Sequence, residues 1–151
     1  MATTRLQIGD VTIHRVVERE APLFRRPGSP TPCCRFIAAQ RQELVTSVHQ
    51  FNDVVQVIPA PGHMIDHHSV RLGKPGADAV ITGDMIHSPL QPRYPQLGMR
   101  AYYDSPQADV SRRELFGDLC DTSTLVCTAH FPSPSPGRIT RWGDGLGFAS
   151  V

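Results

Sequence analysis

Apolar and polar residues alternate near both ends of the chain. Residues 6–8 and 11–16 alternate on either side of a Gly-Asp pair, which predicts a hairpin of two strands. Residues 138–141 and 146–148 flank a Gly-Asp-Gly turn in the same way and predict a second hairpin. Short runs rich in β-branched residues predict further strands at 54–58, 69–72, 79–82 and 124–127.

One helix is predicted after residue 104. Asp104 is a suitable N-cap and Pro106 suits the first turn. The positions that follow give one apolar stripe, with Arg112 and Arg113 placed on a solvated face; the stripe contains Ala108, Leu115, Phe116 and Leu119. A second helix is predicted within residues 36–50, whereas the Pro-rich segments 27–34 and 86–103 read as loops. Strands mixed with helices predict an α/β fold in one domain.

Composition narrows the classes of function. The 151 residues are 40% hydrophobic and 19% charged, and the net charge is +1, so neither nucleic acid nor an anionic membrane is an expected partner. Apolar runs are too short for a membrane span, and no signal-peptide core precedes the first strand, so a cytoplasmic location is expected. Cys120 and Cys127 lie in apolar surroundings and are expected to be buried thiols.

Three metal-competent side chains come just after predicted strands. They are His63, Asp84 and His130. Ends of strands that run in the same direction meet at one edge of a sheet, and two imidazoles with one carboxylate suit Zn²⁺ or another divalent metal. Their long separations leave an ordinary alternative open, since any globular protein has some His and Asp in loops.

The strings around these residues resemble motifs of the metallo-β-lactamase superfamily, nearest to its lactonase and organophosphate-hydrolase branch. Pro61-Gly62-His63 with His67 resembles the second metal motif, residues 79–84 the bridging-aspartate motif, and residues 128–132 the last histidine motif. The resemblance implies the αββα sandwich fold, of which this chain would carry mainly the C-terminal half (51–151) and an N-terminal hairpin (1–27).

The chain departs from the family at its best-known motif. The signature H-x-H-x-D-H, which supplies ligands to both metals, is absent, and no H-x-H occurs among the seven histidines. The resemblance implies that more than a hundred residues are missing between Pro27 and Gln50, with 28–50 as the junction. Each metal of a dinuclear site would then keep only about two protein ligands.

The resemblance also suggests roles for neighbouring residues. His67 is expected to support the ligands from outside the coordination sphere, and His87 to line the pocket, although an exposed loop histidine is an alternative for His87. One of Tyr94, Tyr102 and Tyr103 is a candidate for orienting a carbonyl, against plain loop packing. A small ester or lactone is the substrate class implied.

Three functions stay open from the sequence. The first is an inactive or weakly active metallo-β-lactamase-like protein that binds zinc or another divalent metal weakly. The second is a working hydrolase of esters, lactones or phosphotriesters with a reduced site, and the third is a non-enzymatic interaction module. Loss of most of one sheet predicts an exposed apolar face at 79–81 and 125–127, and hence self-association.

Overall fold

The computed structural model describes residues 3–8, 11–16 and 48–151. Two strands form an antiparallel hairpin by themselves, and seven others form one sheet in which sequence neighbours are also spatial neighbours. The strands are β1 (Thr3–Ile8), β2 (Val11–Val16), β3 (His49–Asn52), β4 (Val55–Pro59), β5 (His68–Lys74), β6 (Ala77–Ile81), β7 (Leu125–Cys127), β8 (Pro136–Trp142) and β9 (Gly145–Ser150). Both predicted hairpins and the mixed α/β class are confirmed.

The direction of the strands decides where their ends lie. All neighbouring strands are antiparallel except β6 and β7, which are parallel and are connected through the helix α1 (Ser105–Leu119). Strand β4 is antiparallel to β5, which is antiparallel to β6, so β4, β6 and β7 all run in one direction. Their carboxyl ends therefore meet at the same edge of the sheet.

Helix α1 begins where the sequence predicts. The Asp104 carboxylate accepts a hydrogen bond from the Gln107 backbone N–H at 2.9 Å, and Pro106 occupies the first turn. The predicted stripe faces inward, since Ala108, Leu115, Phe116 and Leu119 are all buried. Burial of such a stripe against a sheet contributes more to a helix of this length than its intrinsic propensity does.

The core lies between α1 and the sheet. Phe116 packs there with Val80 and Val126 from the two parallel strands, and all three are fully buried. The predicted exposed face is wrong at Ala79, which lies on the opposite face from Val80 and is fully buried, whereas Ile81, Leu125 and Cys127 are partly exposed. Strand β1 lies near β6, so β6 has neighbours beyond those of its own sheet.

Three other predictions need correction, and parts of them fall outside the described residues. Arg112, placed on a solvated face, is fully buried. The helix predicted within 36–50 is wrong at His49 and Gln50, which belong to β3, and residues 36–47 and the 27–34 loop lie outside the described residues. Cys120 and Cys127 are both half-buried rather than fully buried. Within the described ranges, no helix is long and apolar enough to cross a membrane.

Candidate metal centre

The three residues that follow strand ends come together at the predicted edge. His63 lies after β4, Asp84 in a short 3-10 turn after β6, and His130 after β7. His130 Nε2 is 2.8 Å from Asp84 Oδ1, and His63 Nε2 is 3.4 Å from Asp84 Oδ2. Each carboxylate oxygen thus faces a different imidazole, and Asp84 stands between the two histidines.

A glycine fixes the backbone before His63. Gly62 has φ +126°, and a Cβ atom there would collide with the backbone of Ala108 in α1. The Gly62 carbonyl accepts from the Asp104 N–H at 2.9 Å, and the His63 carbonyl accepts from the Tyr103 N–H at 3.1 Å. The turn is therefore docked on the start of α1, which requires a residue without a side chain.

His67 supports Asp84 through the backbone. The Asp84 N–H donates to His67 Nε2 at 3.0 Å, so that nitrogen is unprotonated and His67 Nδ1 carries the proton that faces the Ala60 carbonyl at 3.2 Å. Burial lowers the pKa of His67, although the hydrogen bond to Ala60 opposes that effect. Both ring nitrogens of His67 are engaged in hydrogen bonds, so His67 holds the Asp84 backbone in place and has no free nitrogen for a metal.

His87 lies inside the cluster. Its ring stacks on that of His130, with centroids 4.2 Å apart and an angle of 19° between the planes. Its Nδ1 lies 3.0 Å from the Tyr102 hydroxyl. Burial, followed by the proximity of His130, lowers the pKa of His87 to about 4, so its imidazole is neutral at physiological pH. His87 is half-buried and is not an exposed loop histidine.

Gln91 organises the loop of residues 86–103, although it is not among the residues that the sequence singles out. The side chain is 2% exposed, and its Oε1 accepts from the backbone N–H groups of His87 at 2.6 Å and Ser88 at 3.0 Å. Its Nε2 donates to the Leu97 carbonyl at 2.7 Å and to the Tyr102 hydroxyl at 3.2 Å. Nothing in the local pattern distinguishes a buried glutamine from an exposed one in a Pro-rich loop.

Arg112 holds the same loop from the helix. Its Nε donates to the Pro95 carbonyl at 2.7 Å and its Nη1 to the Met85 carbonyl at 3.3 Å. The guanidinium lies 5.2 Å from the centroid of the Tyr102 ring, and burial lowers its pKa. Its sequence position held a signal, because residue 112 is four after the buried Ala108 and three before the buried Leu115.

Charge and exposure suit a cation. Burial raises the pKa of Asp84, but its hydrogen bond with His130 and its electrostatic interactions with the neighbouring histidines outweigh this and lower it, so the carboxylate is anionic at neutral pH. The Asp84 and His130 side chains are 47% and 43% exposed, against 17% for His63. One potential ligand atom from each of Asp84, His87 and His130 lies within 4.8 Å of the others. A carboxylate with neutral imidazoles is a donor set that fits zinc and similar divalent metals.

Comparison with known proteins gives structural matches alone. No protein-family profile matches the chain, and no curated protein matches it. Among solved structures, the dizinc quorum-quenching lactonase AidC superposes with a TM-score of 0.65 at 23% identity, over 76% of this chain and 40% of that chain. AbOPH, a hydrolase in the β-lactamase superfamily, gives 0.65 at 22% identity, over 78% and 41%.

A third match agrees with these two. A probable metal-dependent hydrolase from Staphylococcus aureus superposes with a TM-score of 0.58 at 11% identity, over 75% of this chain and 41% of that chain. The chain therefore has part of the metallo-β-lactamase fold, as the motif strings predicted. It spans about two fifths of the length of the solved chains that it matches.

Proposed function

We propose that this chain binds a divalent cation, zinc or a similar metal, at Asp84 with His63 and His130 as ligands, and that it retains at most weak metal-dependent hydrolysis. The support is the position of Asp84, whose two oxygens face two imidazoles from different strand ends at 3.4 Å and 2.8 Å. This arrangement needs three separate chain segments to converge, which is unlike a chance contact between two loop residues.

The residues of the cluster have distinct tasks in this proposal. Asp84 supplies the negative charge, and His67, through the Asp84 N–H, holds its backbone in place. The open sides of Asp84 and His130 leave room for a small molecule next to a cation. A divalent metal bound there would polarise a carbonyl or phosphoryl oxygen and lower the pKa of a water molecule.

We expect weak activity because the chain has few protein ligands for a metal. No H-x-H string occurs in the sequence, so the ligands that such a motif would give must come from elsewhere or be absent. Hydrolysis requires a firmly held cation with an open position, usually with three protein ligands. With two histidines on opposite oxygens of one carboxylate, each oxygen of Asp84 has only one of them beside it.

The substrate class is inferred from the fold relatives. AidC is described as a lactonase with N-hexanoyl-homoserine product, and another match, with a TM-score of 0.51, is an N-acyl homoserine lactone hydrolase. If any turnover remains, we propose an ester, lactone or phosphotriester as its substrate. One fold can carry several reactions, so an assay with each of these substrate classes decides between them.

The test is metal retention by the purified chain. We expect Zn²⁺ or Mn²⁺ to remain bound after dialysis and to be lost in Asp84→Asn, which keeps the shape of the side chain but removes its charge. His49→Gln, in β3, serves as the matched histidine control and should retain the metal. Ester and lactone turnover with added metal, compared between the wild type and Asp84→Asn, measures activity. Absence of bound metal in the wild type would overturn the proposal.

A further inference from the structure

A second set of donors lies on one side of Asp84. Among the described residues, the group of three whose ligand atoms are all mutually close is Asp84, His87 and His130, within 4.8 Å. His63 lies outside that group, on the side of the other carboxylate oxygen. We propose that His87 is itself a metal ligand, which together with Asp84 and His130 holds a single cation on the Oδ1 side and takes the place of His63 in the ligand set; this rests on the proposed metal-binding function.

The outer hydrogen bonds favour His87. A metal-binding histidine usually engages its other ring nitrogen with a partner that fixes the orientation and the tautomer of the ring. His87 Nδ1 has such a partner in the Tyr102 hydroxyl at 3.0 Å, which leaves Nε2 for a cation. The Nδ1 of His63 is buried and has no hydrogen-bond partner in the part of the chain that the structure describes. The best-supported imidazole at the site is therefore that of His87.

Two buried side chains, Gln91 and Arg112, hold Tyr102 in place beside His87. Gln91 Nε2 donates to the Tyr102 hydroxyl at 3.2 Å, and the Arg112 guanidinium lies over the Tyr102 ring. Gln91 Oε1 also accepts from the His87 N–H, so one buried side chain fixes both the backbone of His87 and the residue that contacts its ring. Arg112 Nη2 has no hydrogen-bond partner among the described residues, whereas both ends of the Gln91 amide are engaged and together orient the single imidazole of His87.

The distances fit a mononuclear site. Zinc holds nitrogen and oxygen ligands at about 2.0–2.2 Å, so two tetrahedral ligands of one ion lie roughly 3.3–3.5 Å apart. Asp84 Oδ1 and His130 Nε2 are already 2.8 Å apart, and the whole group spans no more than 4.8 Å. Adjustments of up to about 1.5 Å in these separations are needed. Three protein ligands with one open position would replace the donors that an H-x-H motif provides elsewhere.

The test compares two substitutions on the same hydrogen-bonded pair. His87→Gln removes the proposed ligand, whereas Tyr102→Phe removes only its outer hydrogen bond. Loss of an outer partner typically costs about 10–100-fold in metal affinity. We expect His87→Gln to weaken Zn²⁺ binding by more than Tyr102→Phe does, and at least as much as His63→Gln. When Co²⁺ is bound in place of Zn²⁺, the His87→Gln variant should lose the visible absorption bands of a low-coordinate site. The His49→Gln control should keep these bands.

A measurement on the unaltered chain covers the case in which a variant does not fold. Long-range ¹H–¹⁵N spectra of the imidazole rings during Zn²⁺ titration should show a coordination shift at His87 Nε2. Zn²⁺ binding with no shift at His87, or unchanged affinity in folded His87→Gln, would overturn this inference and leave the metal-binding proposal intact. No Zn²⁺ binding by the wild type would instead remove the proposed function together with the inference.

Discussion

The two flanks of Asp84 are built in different ways. The glycine flank, residues 60–67, is held by backbone hydrogen bonds and by the close approach of Gly62 to α1. The loop flank, residues 86–103, is held by buried polar side chains, chiefly Gln91 and the Arg112 that reaches it from α1. One flank depends on the conformation that its backbone adopts, and the other on hydrogen bonds that buried side chains make to the loop.

The difference affects what each flank can offer a metal. In the glycine flank, His63 is held through its backbone carbonyl, which accepts a hydrogen bond. The Nδ1 atom of its ring has no hydrogen-bond partner in the described ranges. The loop flank positions His87 by both its backbone and its ring. Short motif strings therefore mark one flank clearly in the sequence, whereas the better-oriented imidazole belongs to the flank that reads as an irregular loop.

Removal of Arg112 should have the largest effect of the changes considered for either flank. Arg112→Ala leaves the buried carbonyls of Met85 and Pro95 without a donor and opens a cavity beside Tyr102. We expect it to lower the free energy of unfolding by about 3–5 kcal/mol. The adjacent Arg113 is exposed and pairs with Asp109 among the described residues, so Arg113→Ala should change the free energy of unfolding by no more than about 0.5 kcal/mol. Urea unfolding measures both, and equal losses would show that the loop flank does not depend on the buried guanidinium.

The glycine flank is tested by adding one methyl group. Gly62→Ala combines a left-handed backbone with a collision against Ala108, and we expect a loss of about 2–3 kcal/mol in the free energy of unfolding. Gly76 also has a positive φ, of +89°, but open space around its Cα, so Gly76→Ala should cost only about 1 kcal/mol. The excess of the first over the second, measured by urea unfolding, reports the contact between the turn and α1. No excess would mean that the turn can separate from the helix without cost.

Much of the fold could be predicted because its signals are local. Alternating residues gave both hairpins, and Asp104 with Pro106 gave the start of α1, since pairing and capping depend on neighbours in sequence. The error at Ala79 has a different origin. Whether Ala79 is covered depends on which distant segment lies against β6, and periodicity within a strand carries no information about that.

The candidate site was predictable only in part for the same reason. His63, Asp84 and His130 each follow a strand, so the direction of the strands was enough to bring them together. The stacking of His87 on His130 and the burial of Gln91 result from the path of an irregular loop, which no short pattern specifies. Arg112 was misassigned because arginine is rarely buried without a carboxylate partner, and here carbonyl groups take that role.

His67 offers the finest test of the glycine flank, because it acts on Asp84 through one hydrogen bond. His67→Leu removes the acceptor of the Asp84 N–H, and we expect Zn²⁺ affinity to fall about tenfold, or about 1.4 kcal/mol, with little change in the coordination spectrum of Co²⁺. His67→Gln can place an oxygen near the position of Nε2 and should recover part of the loss, whereas His68→Gln, which alters the neighbouring histidine, should have no effect. If His67→Leu instead changed the Co²⁺ spectrum as strongly as His87→Gln, His67 would be a ligand. The glycine flank would then supply two imidazoles to the metal, and the contrast between the flanks would be reversed.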